Sequence, residues 1–312
     1  NILRALYFNS EKIDVVETNP QIVELLKKEY NNFSGNIYDL PTIKIYVGNL
    51  RNFLMKTKNL YDVIFIPPEN SSAMSSVGFE SVNASNLFTV EAIKVYHDKL
   101  KTNGILSITS WIKIPPRNSL KLFATIIHSL NKENFDFSEK NVMMIRSWKT
   151  TTLIIKNGLI TEKDINTLKL FSQNRSFDLI YYPGIKKDEV NHYNLLEKSF
   201  FYEGTSQLLS KDRGNFIKNY KFNIEPSIDS RPFFYNFFKW SSLPELLKLR
   251  TQGTVSMIEW GYIILVATLL IALIFSLLFI LLPIFAFKKL KQSYPKKSIM
   301  SYFFLVGLAF MF

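Results

Sequence analysis

Three short stretches hold the residues whose types and spacing suit ligand chemistry: Glu17 in VVETNP, Gly48-Asn49 in YVGNL, and Pro67–Asn70 in IFIPPEN. Each follows an apolar run, Ile13–Val16, Ile43–Val47 and Tyr61–Ile66. Such runs, bounded by turn residues, read as strands buried in a parallel sheet. The carboxyl ends of those strands are where a doubly wound sheet binds its ligand. An acidic side chain there, roughly 20 residues beyond a glycine-rich turn, hydrogen-bonds the ribose hydroxyls of a nucleotide. Glu17 is placed for that role. Together the three ends suit an adenosyl ligand, with Glu17 on the ribose, Gly48 and Asn49 at the adenine, and Pro67 in a wall beside the reacting group. The competing reading of Glu17 is a carboxylate at a helix start, where the helix dipole favours negative charge.

Alternating elements must position these ends. Pro20 suits the first turn of a helix over Asn19–Tyr30, with Ile22, Val23, Leu25 and Leu26 at helical spacing. After a loop, Asn31–Pro41, come a strand at Ile43–Val47, a short helix at Leu50–Met55 and a strand at Tyr61–Ile66, stopped by Pro67-Pro68. A Ser-rich stretch, Glu69–Asn83, reads as a mobile loop above the strand ends. An amphipathic helix over Asn86–Leu100 is ended by Thr102-Asn103-Gly104. A strand at Ile105–Trp111, a helix at Arg117–Leu130 and a strand pair within Asn141–Ile155 complete residues 1–156. The expected class is α/β, a doubly wound, mostly parallel sheet with helices on both faces. Asn1–Ser10 reads as the end of a helix with Ile2, Leu3 and Leu6 inward. The first strand and its glycine turn are expected ahead of it, and both chain ends look cut.

Composition points to a membrane. Of the 312 residues 47% are hydrophobic, and the net charge is +12. The lysines are spread, with no Arg-rich helix, so a nucleic-acid partner is not expected; the densest basic cluster adjoins the most apolar segment. With no Cys, thiolate chemistry is excluded. His97, His128 and His192 form no i,i+4 pair, so no metal site is expected. Residues 157–259 read as an α+β extension: a helix at Thr161–Phe171 capped by Thr161 with Asp164 at its third position, a strand at Phe177–Tyr182, and the aromatic run Arg231–Trp240. That run reads as an interfacial belt beside a bilayer, with packing under a lid as the alternative. Gly261–Phe287 carries no charge; as a helix it reaches ~40 Å against a hydrocarbon core of about 30 Å. The expected layout is a membrane helix at 260–287, a basic loop at 288–297 and the start of a second span at 298–312. The lysines of that loop argue that it faces the cytoplasm, whereas a nucleotide ligand argues for the soluble domain there; the domain is read with a cytoplasmic lean.

VVETNP, the VGN turn, YDVIFIPPEN and LFTVEAIKVYHDKLKTNGILSI resemble the spermidine/spermine synthase family, which shares the Rossmann-like fold of S-adenosylmethionine-dependent methyltransferases. FDLIYYPGI, NHYNLL, DSRPFFYNFF and the apolar helix after EWGY look like its bacterial integral-membrane branch. The resemblance implies an inner-membrane transferase using S-adenosylmethionine or its decarboxylated form as an adenosyl sulfonium donor. It would pass an aminopropyl group to a polyamine, or a methyl group to an acceptor, and could work as a homodimer. Active family members carry two aspartates after the YDVI strand and one after the preceding glycine turn. Here Pro67, Asn70 and Asn49 stand there. Glu69 is the remaining candidate for a catalytic carboxylate, and Asn49 could still accept a hydrogen bond from an adenine amino group. The replaced aspartates leave two other readings open: a degenerate adenosyl-nucleotide sensor regulating its membrane helices, and a transporter-like protein with a soluble gate.

Overall fold

The apolar runs form strands and the amphipathic stretches form helices in a computed structural model that describes residues 2–68, 85–131, 139–244, 260–286 and 296–309. The chain divides into two units, Asn1–Tyr262 and Ile263–Phe312.

The first unit begins α1 (Ile2–Tyr7), β1 (Ile13–Glu17), α2 (Pro20–Lys28), β2 (Ile43–Val47), α3 (Leu50–Lys56) and β3 (Tyr61–Ile66). Pro20 does open α2, and Asn19 Oδ1 accepts the Gln21 N–H at 2.9 Å, supplying the acceptor that a helix start needs. In α1, Ile2 and Leu6 are half-buried but Leu3 is 65% exposed. The inward face is narrower than expected, because adjacent helical residues point about 100° apart.

β1 and β2 pair in parallel, with Glu17 opposite Val47. β3 pairs in parallel with β4 (Leu100–Trp111). The crossover between β3 and β4 contains α4 (Val90–Asp98), which Thr89 caps. After α5 (Asn118–Asn131), a hairpin of β5 (Val142–Arg146) and β6 (Thr150–Lys156) extends the sheet, and β7 (Asp178–Tyr181) closes it in the order β3-β4-β6-β5-β7. Pairing is thus parallel where the candidate site lies and antiparallel beyond β4. This is the Rossmann-like α/β arrangement.

β4 begins at Leu100 rather than Ile105. Thr102-Asn103-Gly104, expected to end a helix, forms a bulge instead: Tyr61 pairs with Leu100, and Val63 with Ile105. Asn103 takes φ 64° there. A Cβ on Gly104 would stand 2.9 Å from the carbonyl oxygens of both Lys101 and Tyr61, so the tripeptide's turn chemistry is used inside a strand.

β1 and β3 are not paired with each other among the described residues. What joins them is a side-chain bond, Tyr61 Oη donating to Asp14 Oδ2 at 2.8 Å. Every residue of β1 is only half-buried and Val63 of β3 is 58% exposed. The full burial expected of these runs fails because each strand has one edge without a ladder.

The stretch after residue 156 shares the core of the sheet. α6 (Glu162–Asn174) starts with the expected capping box of Thr161 and Asp164, and α7 (Phe200–Leu209) and α8 (Arg213–Asn219) follow. Phe201, Phe222, Phe234 and Phe237 pack in one cluster with Ile64, Leu106 and Phe123. The interfacial-belt reading of Arg231–Trp240 is therefore corrected: Phe234, Phe237 and Phe238 are buried, and Phe233 and Trp240 are the exposed large hydrophobics. The physical reason is apolar burial: the Phe234 and Phe237 rings join the core of the sheet. Lys121 of α5 accompanies them, its ammonium donating to the carbonyls of Phe233 (3.2 Å) and Asn236 (3.1 Å) and lying 5.7 and 5.2 Å from the Phe234 and Phe237 ring centroids.

The second unit holds α9 (Trp260–Ala286) beyond Tyr262, and α10 (Lys296–Ala309). Tyr262–Leu282, 21 residues, is long and apolar enough to cross a bilayer and has no buried share. α9 continues through Pro283. α10 has 14 residues, about 21 Å of helix, short of a hydrocarbon core of about 30 Å. Most of the basic loop expected at 288–297 lies outside the described residues.

Candidate functional site

Glu17 closes β1 with its carboxylate turned into the following turn. Oε1 accepts the Asn19 N–H at 2.9 Å and the Thr18 hydroxyl at 3.3 Å, which is the helix-start role. Oε2 takes no hydrogen bond from the described residues. The two roles weighed for this carboxylate are therefore compatible, one oxygen for the turn and one for a ligand hydroxyl.

One strand over, the Gly48 N–H donates to the Glu17 carbonyl at 2.9 Å. Gly48 holds φ +149°, and nothing lies within 4 Å of where a Cβ would stand. A flat ring can approach the backbone here, and a side chain would be strained. Asn49 then caps α3, its Oδ1 accepting the N–H groups of Arg51 (2.9 Å) and Asn52 (3.4 Å). The acceptor role expected toward an adenine amino group is therefore committed to the helix. The Asn49 Nδ2 group remains, as a donor suited to a ring nitrogen.

Pro67 is exposed at the end of β3, whose Ile66 pairs with Ile108. Glu69 and Asn70 lie outside the described residues. The β1–β2 register thus brings Glu17, Gly48 and Asn49 together, while Pro67 belongs to the other sheet. A polar cluster ties the two at their carboxyl ends. Arg51 at the start of α3 donates twice to Asp229. Thr89, the cap of α4, donates to the same carboxylate at 2.7 Å, and the Asp229 N–H donates to Glu91 at 3.0 Å. The Arg51 guanidinium holds the Asp229 carboxyl below the usual carboxylate range. At the opposite ends of the strands, burial first and the bond to Asp14 second push the Tyr61 hydroxyl up to about 12.

Sequence reasoning missed this cluster and a small pocket at the end of β4, walled in part by Trp111 and Tyr235. The available signals were one Asp heading the aromatic run and a Trp closing a strand. Neither says which distant element it meets. Among the described residues no group of three or more His, Cys, Asp or Glu could hold a metal ion.

Residues 1–166 match the family model described as the spermine/spermidine synthase domain. Two curated relatives are polyamine aminopropyltransferases of Prochlorococcus marinus. That of strain MIT 9312 is 28% identical over 127 residues, 40% of this chain and 41% of the relative. That of strain AS9601 is 29% identical over 134 residues, 43% of each. The chain thus spans less than half the length of these relatives. A solved spermidine synthase from Thermotoga maritima is 20% identical, with 64% of this chain and 60% of that one covered and a TM-score of 0.36.

Proposed function

Since the chain belongs to the spermine/spermidine synthase domain family, we propose that its first unit is a transferase that takes an adenosyl sulfonium donor and passes the donor's aminopropyl group to an amine. The observation that carries this is the uncommitted Oε2 of Glu17 beside the open backbone of Gly48. It fits a ribose hydroxyl beneath an adenine that meets Asn49 Nδ2, with Pro67 bordering the sulfonium end. In the doubly wound order the first strand, which carries the glycine turn, lies beside the second. The unladdered edges of β1 and β3 suit such a strand.

In the reaction, a neutral amine nitrogen attacks the methylene carbon bonded to the sulfonium sulfur. The C–N bond forms as the C–S bond breaks, sulfur keeps the electron pair as the thioether of methylthioadenosine, and the new ammonium releases one proton. Orientation supplies most of the rate that such a displacement needs. Pro67 offers no base, so the proton passes to Glu69 or to solvent. Tyr262–Leu282 supports anchoring of the protein in a lipid bilayer through α9. The replaced aspartate at Pro67 favours a second reading, an adenosyl-nucleotide sensor without turnover.

The test is calorimetric titration of the detergent-purified protein with methylthioadenosine and decarboxylated S-adenosylmethionine, beside Glu17→Ala. Loss of one charge-assisted hydrogen bond should weaken binding about tenfold or more. Equal heats for both proteins would remove the donor site. Donor binding without methylthioadenosine release from any amine would select the sensor.

A further inference from the structure

The turn of the β5–β6 hairpin presents Trp148 at 75% exposure, where turn chemistry calls for a small polar residue. The tip is held firmly. The Ser147 N–H donates to the Thr150 carbonyl at 2.8 Å, and Ser147 Oγ accepts the N–H groups of Lys149 and Thr150 at 3.4 and 3.1 Å. The indole makes no hydrogen bond or ring contact among the described residues.

Residues 191–196 form a second apolar tip. Arg146, at the end of β5, donates to Asp178 at 2.7 Å. That carboxylate also accepts the N–H groups of His192, Tyr193 and Asn194, at 2.7, 2.8 and 2.9 Å. The ion pair is buried, and what it fastens is a loop that holds Tyr193 and Leu195 outward, at 45% and 74% exposure.

Both tips lie at the carboxyl end of β4. Trp111 closes that strand opposite Thr150, and the Ile112 N–H donates to the Lys149 carbonyl at 2.8 Å. The aromatic run arrives at the same end: Tyr235 shares a pocket wall with Trp111, and Lys113 Nζ lies 6.0 Å from the Phe237 ring centroid. From there Phe238 and the exposed Trp240 pack on Tyr262, with ring centroids 5.2 and 6.3 Å apart. Tyr262 is the last residue of the first unit and the first of the apolar span.

The charge at this end suits an anionic surface. Residues 99–131 and 140–161 contain no Asp or Glu, and Lys113 and Lys149 flank the hairpin tip. Nearby acids are answered: Glu225 acts on Lys121 and Lys239, and Asp188 and Glu197 each adjoin a lysine in sequence. A stable protein interface needs a continuous patch of roughly 800 Å² per partner. Separate rigid tips of Trp, Tyr and Leu among lysines instead suit a headgroup layer, where amphipathic rings and lysines settle together.

We propose that this end of the first unit rests on the surface of an anionic lipid bilayer, with Trp148 and Leu195 in the headgroup layer. This rests on the reading that α9 anchors the protein in a bilayer.

The chain has no Cys, so a single label can be placed without other changes. The full-length protein, in phosphatidylcholine vesicles containing phosphatidylglycerol, would carry a nitroxide at Trp148→Cys, Leu195→Cys, Leu159→Cys or Leu270→Cys. Leu159 is exposed beyond the opposite end of β6, and Leu270 lies within the span. Spin relaxation by oxygen against a water-soluble nickel chelate reads the surroundings of each label, and thermal unfolding checks that each protein is folded. The ratio of oxygen to nickel access at positions 148 and 195 should exceed that at 159 by about twofold or more. Equal ratios at the three positions, with 270 in lipid, would overturn the docking surface and leave the anchoring standing. Shielding of position 148 from both reagents would assign the tip to a protein partner and overturn the lipid assignment. Nickel access at 270 would overturn the anchoring and the docking surface with it.

Discussion

Arg51 and Asp229, 178 residues apart, meet in a two-pronged ion pair: Nη1 donates to Oδ1 at 2.7 Å and Nη2 to Oδ2 at 2.6 Å. Arg51 follows the turn that caps α3, and Asp229 heads the aromatic run, so one contact holds that run against the rim of the candidate donor site. Thr89 adds a third bond from the start of α4. The Asp229 side chain is 41% exposed, which limits what the pair contributes. A double-mutant cycle of Arg51→Ala and Asp229→Asn, read by thermal unfolding, should give a coupling of about 1 kcal/mol. Because the folded Asp229 carboxyl titrates below its unfolded value, this stability is present above pH ~4 and fades as acid protonates the carboxylate. Strict additivity of the two substitutions would mean that the ion pair holds nothing.

Lys121 gives the first unit a pH dependence of opposite origin. Burial pushes its ammonium from 10.5 down to about 7, against the two carbonyls and two rings that favour the charge. Between those values the unfolded chain keeps a proton that the folded chain gives up, so stability rises as pH climbs through that window. The slope is at most one proton, about 1.4 kcal/mol per pH unit. Lys121→Met should flatten the midpoint-against-pH curve between pH 7 and 10. A wild-type curve already flat there would mean that Lys121 stays charged in its cage.

Gly204 of α7 lets α5 approach closely. A Cβ at this position would stand 2.6 and 2.8 Å from Cδ1 and Cδ2 of Leu120, which is fully buried. Gly204→Ala should therefore destabilise by about 1–3 kcal/mol despite the better helix propensity of alanine. Adding Leu120→Ala should recover part of that loss, because the clash and the cavity offset each other. If Gly204→Ala alone raises the unfolding midpoint, the two helices are not in close contact.

Residues close in sequence determined much of this protein. Val and Ile runs cut off by Gly-Asn and Pro-Pro placed β2 and β3 to the residue, and the run before Asn-Pro placed β1 to within one, because strand period and turn chemistry are local. The start of α2 at Pro20 and the capping of α6 by Thr161 were legible for the same reason, and so was the apolar length of α9. The order of motifs carried the family. The tertiary structure decided what depends on partners far along the chain. Thr102-Asn103-Gly104 is a bulge because Leu100 and Ile105, on either side of it, both pair with β3. The aromatic run is core because Phe234 and Phe237 meet Ile64, Leu106 and Phe123, more than a hundred residues earlier, and Lys121 bonds the carbonyls of the run. Asn49 spends its oxygen on a helix. Those fates depend on which neighbours folding brings within about 3 Å, a distance that no spacing in the sequence encodes.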